Sequence, residues 1–172
     1  MLWRDTNYFL DGTPKLSAWK TPNVYCLYPL IRKGDFFGGY VGGLIASAET
    51  AKKVLAFFEM AGELLPLNYE GERCSLLNVT ECINALDQER TTWHTDLNGQ
   101  KLLIKKYAFH ANRFTESSLF KIPETRRAEV LAVERCGHPD EEFKAFVEQV
   151  GLTGLRFEEL WADSSFLDDH AA

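Results

Sequence analysis

The sequence predicts an α+β protein, one domain over residues 1–172 in which a mostly antiparallel or mixed sheet is packed by a few helices. Three stretches carry that prediction. Residues 128–133, AEVLAV, form an almost unbroken apolar run of strand length, and a strand that stops alternating is covered on both faces, so the run is placed centrally in a sheet. Pro139 then opens a helix where a missing N–H does no harm, and Asp140, Glu141 and Glu142 put negative charge on its positive first turn. Phe143, Phe146, Val147 and Val150 recur at helical spacing, Gly151 stands where a left-handed C-cap belongs, and Leu155 and Phe157 resume strand-like alternation. The third stretch is Asp96-Leu97-Asn98-Gly99, a hairpin signal, because Asn-Gly tolerates the positive φ of a tight turn.

From the N-terminus, residues 8–10 and 24–31 read as strand fragments, separated by the turn formers Asp11, Gly12, Thr13 and Pro14. Pro22 and Pro29 assign them to edges or irregular segments, and Trp3 and Trp19 are expected to cover one side of the core. The glycine-rich run 38–43 lacks both the spacing of a dinucleotide fingerprint and the Lys-Ser/Thr ending of a phosphate loop, and is read as a turn beside a short strand. Ser47 caps a helix reaching Ala61, with Ala51, Val54, Leu55 and Phe58 on its buried stripe and Gly62 as its stop. Strands follow at 64–69 and 75–79 around the turn Glu70-Gly71-Glu72, then a short helix from Thr80 to Leu86 and a strand at 101–109. The acidic tail from Asp163 is expected to fray.

Composition narrows the function classes. Lys and Arg number 19 against 25 Asp and Glu, and a net charge of -6 repels nucleic acid and acidic membrane while favouring a basic partner. No basic start followed by an apolar core opens the chain, and no apolar run approaches the ~18 residues a membrane span needs, so a cytoplasmic protein without membrane insertion is expected. Cys26, Cys74, Cys82 and Cys136 are scattered, with neither a CxxC pair nor a histidine ladder. They read as reduced thiols, with no metal site and no cofactor expected.

Catalytic constellations are scarce. Cys136-Gly137-His138 sets a thiol near an imidazole, yet no third residue orients the pair. Trp93-His94-Thr95-Asp96 holds a His and an Asp in what reads as a loop, and Asp87 and Glu89 stand two apart, a spacing that does not face them together on a helix. No catalytic residue is assigned. What remains is a surface: Asp140, Glu141, Glu142, Glu158, Glu159 and Asp163, with Trp161 among them, form the pattern of an aromatic anchor in a charged rim.

Four segments then resemble a known family in order and spacing: Leu64-Leu65-Pro66-Leu67, Ser75-Leu76-Leu77-Asn78-Val79 with Ala85-Leu86-Asp87, Leu119-Phe120-Lys121-Ile122, and Gly151-Leu152-Thr153-Gly154-Leu155-Arg156-Phe157. Together they resemble the eleventh family of bacterial polymorphic-toxin immunity proteins, over roughly residues 40 to 161, leaving 1–40 unassigned. The resemblance implies an α+β protein that binds a cognate toxin and occludes its active site or substrate groove, with no catalytic residues to carry over. Asn78, Asp87, Gly151 and Gly154 are expected to shape the fold. The rival readings are an enzyme that reverses a toxin's modification and a non-catalytic adaptor linked to toxin secretion.

Overall fold

The computed structural model describes residues 11–24, 34–37 and 43–163. The expected strand at 8–10, most of that at 24–31, Trp3, Pro29, Gly38 to Gly42 and the tail beyond Asp163 lie outside these residues. Two short edge pieces, β1 (Asn23–Val24) and β2 (Phe36–Phe37), and a full strand, β3 (Gly43–Ser47), begin the main sheet. Ser47 closes β3 and caps the next element, its Oγ accepting from the Thr50 N–H at 3.1 Å. The helix that follows has two segments, α1 (Ala48–Lys53) and α2 (Leu55–Ala61). Val54 loosens one turn between them, although the ladder continues through its N–H to Thr50 and its carbonyl to Phe58. Gly62 ends the helix, as its position suggested, and opens β4 (Gly62–Tyr69), which turns at Glu70-Gly71 into β5 (Glu72–Val79).

These strands form a five-stranded sheet in the order β1-β4-β5-β3-β2, mixed because β1 runs parallel to β4 while every other pairing is antiparallel. Period-two alternation sends β5 side chains to two different cores. Leu77 and Val79 meet Val54, Phe57, Phe58 and Ala61 of the helix side, whereas Cys74 and Leu76 meet Ile45, Leu65, Leu67 and Tyr69 on the other, with half-buried Trp19 against them. The Trp19 indole N–H donates to the Pro66 carbonyl at 2.8 Å, so the proline that interrupts β4 still offers an acceptor.

Beyond β5 lies a second lobe with its own apolar cluster, built on Leu86, Phe109, Phe120, Ile122, Leu131 and Val133. It carries two small ribbons, β6 (Thr92–Thr95) with β7 (Lys101–Lys106), and β8 (Leu119–Phe120) with β9 (Leu131–Ala132). The hairpin at 96–100 forms as expected, and β7 stops at Lys106 rather than continuing to residue 109. The helix expected from Thr80 to Leu86 does not form. Thr80 and Glu81 both donate to the Ala61 carbonyl, Ile83 donates to Lys121, and Cys82 and Leu86 bridge to Lys121 and Phe109, so these amides go to extended partners rather than to the preceding turn.

The run 128–133 is corrected too. It supplies only the two residues of β9, in a ribbon apart from the main sheet, and β5 holds the central place. The run is apolar because it spans two cores: Val130 packs on the first cluster, while Leu131 and Val133 sit in the third. The last helix, α3 (Phe143–Val150), begins after Pro139, Asp140 and Glu141, which form a turn instead of its first turn. Phe143 is its hub, with ring centroids 5.8 Å from Phe36, 5.9 Å from Phe57, 6.0 Å from Phe58 and 6.3 Å from Phe157.

Gly151 ends α3 in the left-handed conformation. Leu155 and Phe157 form no strand; with Leu152 they pack on the first core as an extended segment. That segment is latched to β2. The Phe36 N–H donates to the Thr153 carbonyl at 2.9 Å, and the Thr153 N–H and hydroxyl both donate to Asp35 Oδ2 at 2.8 Å. These bonds hold the Asp35 carboxyl below its ordinary value. Gly154 makes the approach possible: its φ is +99, and a Cβ there would fall 1.9 Å from the Phe36 carbonyl oxygen. Gly154→Ala is expected to destabilise the protein by about 2–4 kcal/mol, read as a fall in urea midpoint at unchanged slope. Gly99→Ala is the control, with φ +80 in open space, and should cost only about 1 kcal/mol. Equal losses would show that the close contact adds nothing.

Candidate partner-binding surface

One helix face of α2 points away from the core. Ala56 and Met60, one turn apart, lie beside Phe57 along the wall of a groove of about 580 Å³. The opposite walls are the loop Phe114, Thr115 and Glu116 and the loop carrying Arg135, Asp140 and Glu141. The lining mixes apolar and polar side chains, and Met60 stays 54% exposed in it. Arg135 ties the two loops together: its guanidinium donates to the Thr115 carbonyl and its backbone N–H to Glu142. Among the described residues Arg135 is the only cation lining this groove, and it is engaged by that bond. Glu116, Asp140 and Glu141 therefore set the field of the rim.

The predicted acidic surface divides. Asp140 and Glu141 are exposed and line the groove. Glu142 is corrected: it is 1% exposed and cannot meet a partner. Its carboxylate accepts the backbone N–H groups of Arg135, Cys136 and Gly137, each at 2.9 Å, and so folds the loop that carries its two neighbours. Burial pushes this carboxyl up, and the three amide donors outweigh burial and hold it below the usual glutamate value. Glu158 and Glu159 are exposed on the segment after α3 but do not line the groove. Trp161 is half-buried against Phe109 and Phe114, with centroids at 5.7 and 6.2 Å, so it backs the groove wall through Phe114. Asp163, half-buried, is the last described residue.

Sequence reading missed Phe57, Met60, Phe114 and Glu116. The only hint was that Ala56 and Met60 fall opposite the buried stripe of their helix, where an exposed methionine has no core to serve.

The catalytic candidates remain apart. Asp96 Oδ1 accepts from the Asn98 and Gln100 N–H groups, which ties it to its own turn rather than to exposed His94. Cys136 and His138 sit on the exposed loop that Glu142 organises, with the Cys136 amide given to Glu142 and the His138 carbonyl accepting from Glu141 and Glu142. Asp87 is lowered by the Arg90 and Glu89 amides it accepts, a turn-closing role. Lys121 is wholly buried, and burial pulls its amine down to about 8, with the nearby Asp11 carboxylate opposing.

Among the described residues, no group of three His, Cys, Asp or Glu side chains is placed to hold a metal ion, and no helix is long and apolar enough to cross a membrane. A second hollow, of about 610 Å³, lies over α1 and the sheet. Lys52 and Arg73 line it with no acid, the wrong sign for a basic partner. No family model matches the chain, and no curated protein matches it.

Glu142→Gln tests the buried acid. A glutamate whose folded pKa is depressed contributes stability that is full above its unfolded value and is lost as pH falls through the folded one. The substitution should cost about 2 kcal/mol at neutral pH, and the difference from wild type should shrink below about pH 4. Denaturant melts across that range would show it, and a cost that does not change with pH would remove the charged role.

Proposed function

We propose that this protein is an immunity protein that acts in the cytoplasm of the producing cell. It holds a basic cognate toxin and covers that toxin's active site or substrate groove. The observation that carries the reading is the groove between α2 and the 135–141 loop, which exposes Met60 and is rimmed by Glu116, Asp140 and Glu141. The sequence resemblance points to the same class. An interface of this kind gains affinity from a few desolvated apolar anchors and gains encounter rate from charge on the rim. Met60 and Phe114 supply the first, and the three acids supply the second. Trp161 acts from behind, by fixing Phe114. Protection requires slow release, hence a dissociation constant of about nanomolar or tighter.

The protein encoded by the neighbouring gene is the partner to test, by co-purification and by rescue of cells that express it. In the complex, Glu116→Lys/Asp140→Lys/Glu141→Lys should slow association by about tenfold or more and flatten its dependence on salt. Met60→Ala should act chiefly on the dissociation rate. Glu158→Lys/Glu159→Lys, away from the groove, is expected to change association far less. If the groove triple associates at the wild-type rate with the wild-type salt dependence, the toxin does not bind here.

A further inference from the structure

The β6–β7 ribbon has the opposite character to the groove. In a chain of net charge -6, residues 92–106 hold Lys101, Lys105 and Lys106 against the single acid Asp96, whose carboxylate is occupied by turn amides. The same ribbon exposes three leucines: Leu97 fully at the turn, Leu102 at 57% and Leu103 at 70%. The register explains why. Trp93 pairs with Ile104, and both pack on the third core, so this parity faces the body. His94 pairs with Leu103 on the outward face. Leu102 falls at the register shift between the His94–Leu103 and Thr95–Lys101 pairs, which leaves it without a cross-strand partner and exposed to solvent. Among the described residues each strand pairs only with the other, and the Lys101 amine sits 4.7 Å over the Trp93 ring. Exposed leucines gathered on one projecting ribbon mark a contact surface rather than ordinary scatter.

We infer that the arm docks on a second copy of this chain, into the acid-rimmed groove. Both surfaces combine exposed apolar side chains with charge, and the charges are opposite: Lys101, Lys105 and Lys106 on the arm, Glu116, Asp140 and Glu141 on the rim. No arm residue lines the groove of its own molecule, so the contact forms between molecules. Two such contacts related by a two-fold axis close a dimer. A ribbon in a groove buries little area, so the association is weak, with a dissociation constant on the order of 1–100 µM. The arm then covers the groove until a tighter ligand displaces it. This inference needs the groove but not the toxin, since it is read in the pure chain.

Sedimentation velocity on the purified full chain tests it. At about 50 mM salt the wild type should dimerise with concentration, and at about 500 mM the dimer should weaken about tenfold or more. The arm variant Lys101→Glu/Lys105→Glu/Lys106→Glu and the groove variant Glu116→Lys/Asp140→Lys/Glu141→Lys should each be monomeric alone, because arm and groove then carry like charge. Mixed, they should form a heterodimer, which also shows that both variants fold. Leu97→Ser/Leu102→Ser/Leu103→Ser should weaken the dimer at both salt concentrations. A wild type that stays monomeric to about 500 µM at low salt lies beyond the affinity stated and overturns the inference. So does a dimer that the charge variants leave intact, or a mixture that fails to rescue. Wild type that binds phosphatidylglycerol vesicles through the three lysines without self-associating would give the arm to a lipid surface and overturn it too.

Discussion

Strand β5 is covered on both faces, and that constraint reaches most of the molecule. A strand enclosed in this way must satisfy any polar side chain it carries without water. Asn78, wholly buried on β5, donates to the Thr13 carbonyl at 2.9 Å and to Glu63 at 2.8 Å. Glu63 in turn accepts the backbone N–H groups of Lys15 and Leu16. One interior amide and one carboxylate thus strap residues 13–16 across the edge of the hairpin. The price of enclosure is visible in the Asn78 Oδ1, which has no hydrogen-bond partner among the described residues.

The three consecutive acids before α3 show how one local choice separates structure from surface. Glu142 stands immediately before the helix, where its carboxylate reaches back to the 135–137 amides. With that residue turned inward, Pro139, Asp140 and Glu141 must form a turn, and the turn presents Asp140 and Glu141 to the groove. Arg135 completes the wall by spending its guanidinium on Thr115. The negative rim is therefore set by backbone geometry. Its acids are held in place by a buried one.

Legibility in the sequence followed the range of the interactions. The Ser47 cap, the Gly62 stop, the β4–β5 hairpin, the 96–100 turn and the α3 stripe with its Gly151 terminus depend on neighbours within a few residues and were readable, although Val150, the last member of that stripe, stands 45% exposed. Residues 80–86 and 128–133 were misread because distant partners decide them. Amides that would have built a helix at 80–86 are claimed by Ala61 and Lys121, and the 128–133 run is apolar because it touches two cores instead of lying central in one sheet. At the surface, Asp140 and Glu141 were legible as exposed acids. Glu142 was not separable from them, because nothing in a run of like residues says which one turns in. Met60 and Phe114 come together only through the packing of separate lobes, a relation that no local pattern encodes.

The latch between Asp35 and Thr153 joins residues 118 apart in sequence. Closing so long a loop costs entropy that only later contacts repay, whereas the β4–β5 hairpin closes over a two-residue turn. Assembly is thereby ordered: hairpin and helix early, the C-terminal segment last. On a ribosome, the chain emerges with its central sheet able to form while one wall of the groove is still unsynthesised. A nascent copy cannot capture a ligand until Asp140 and Glu141 have emerged to complete the rim and Trp161 has packed behind Phe114.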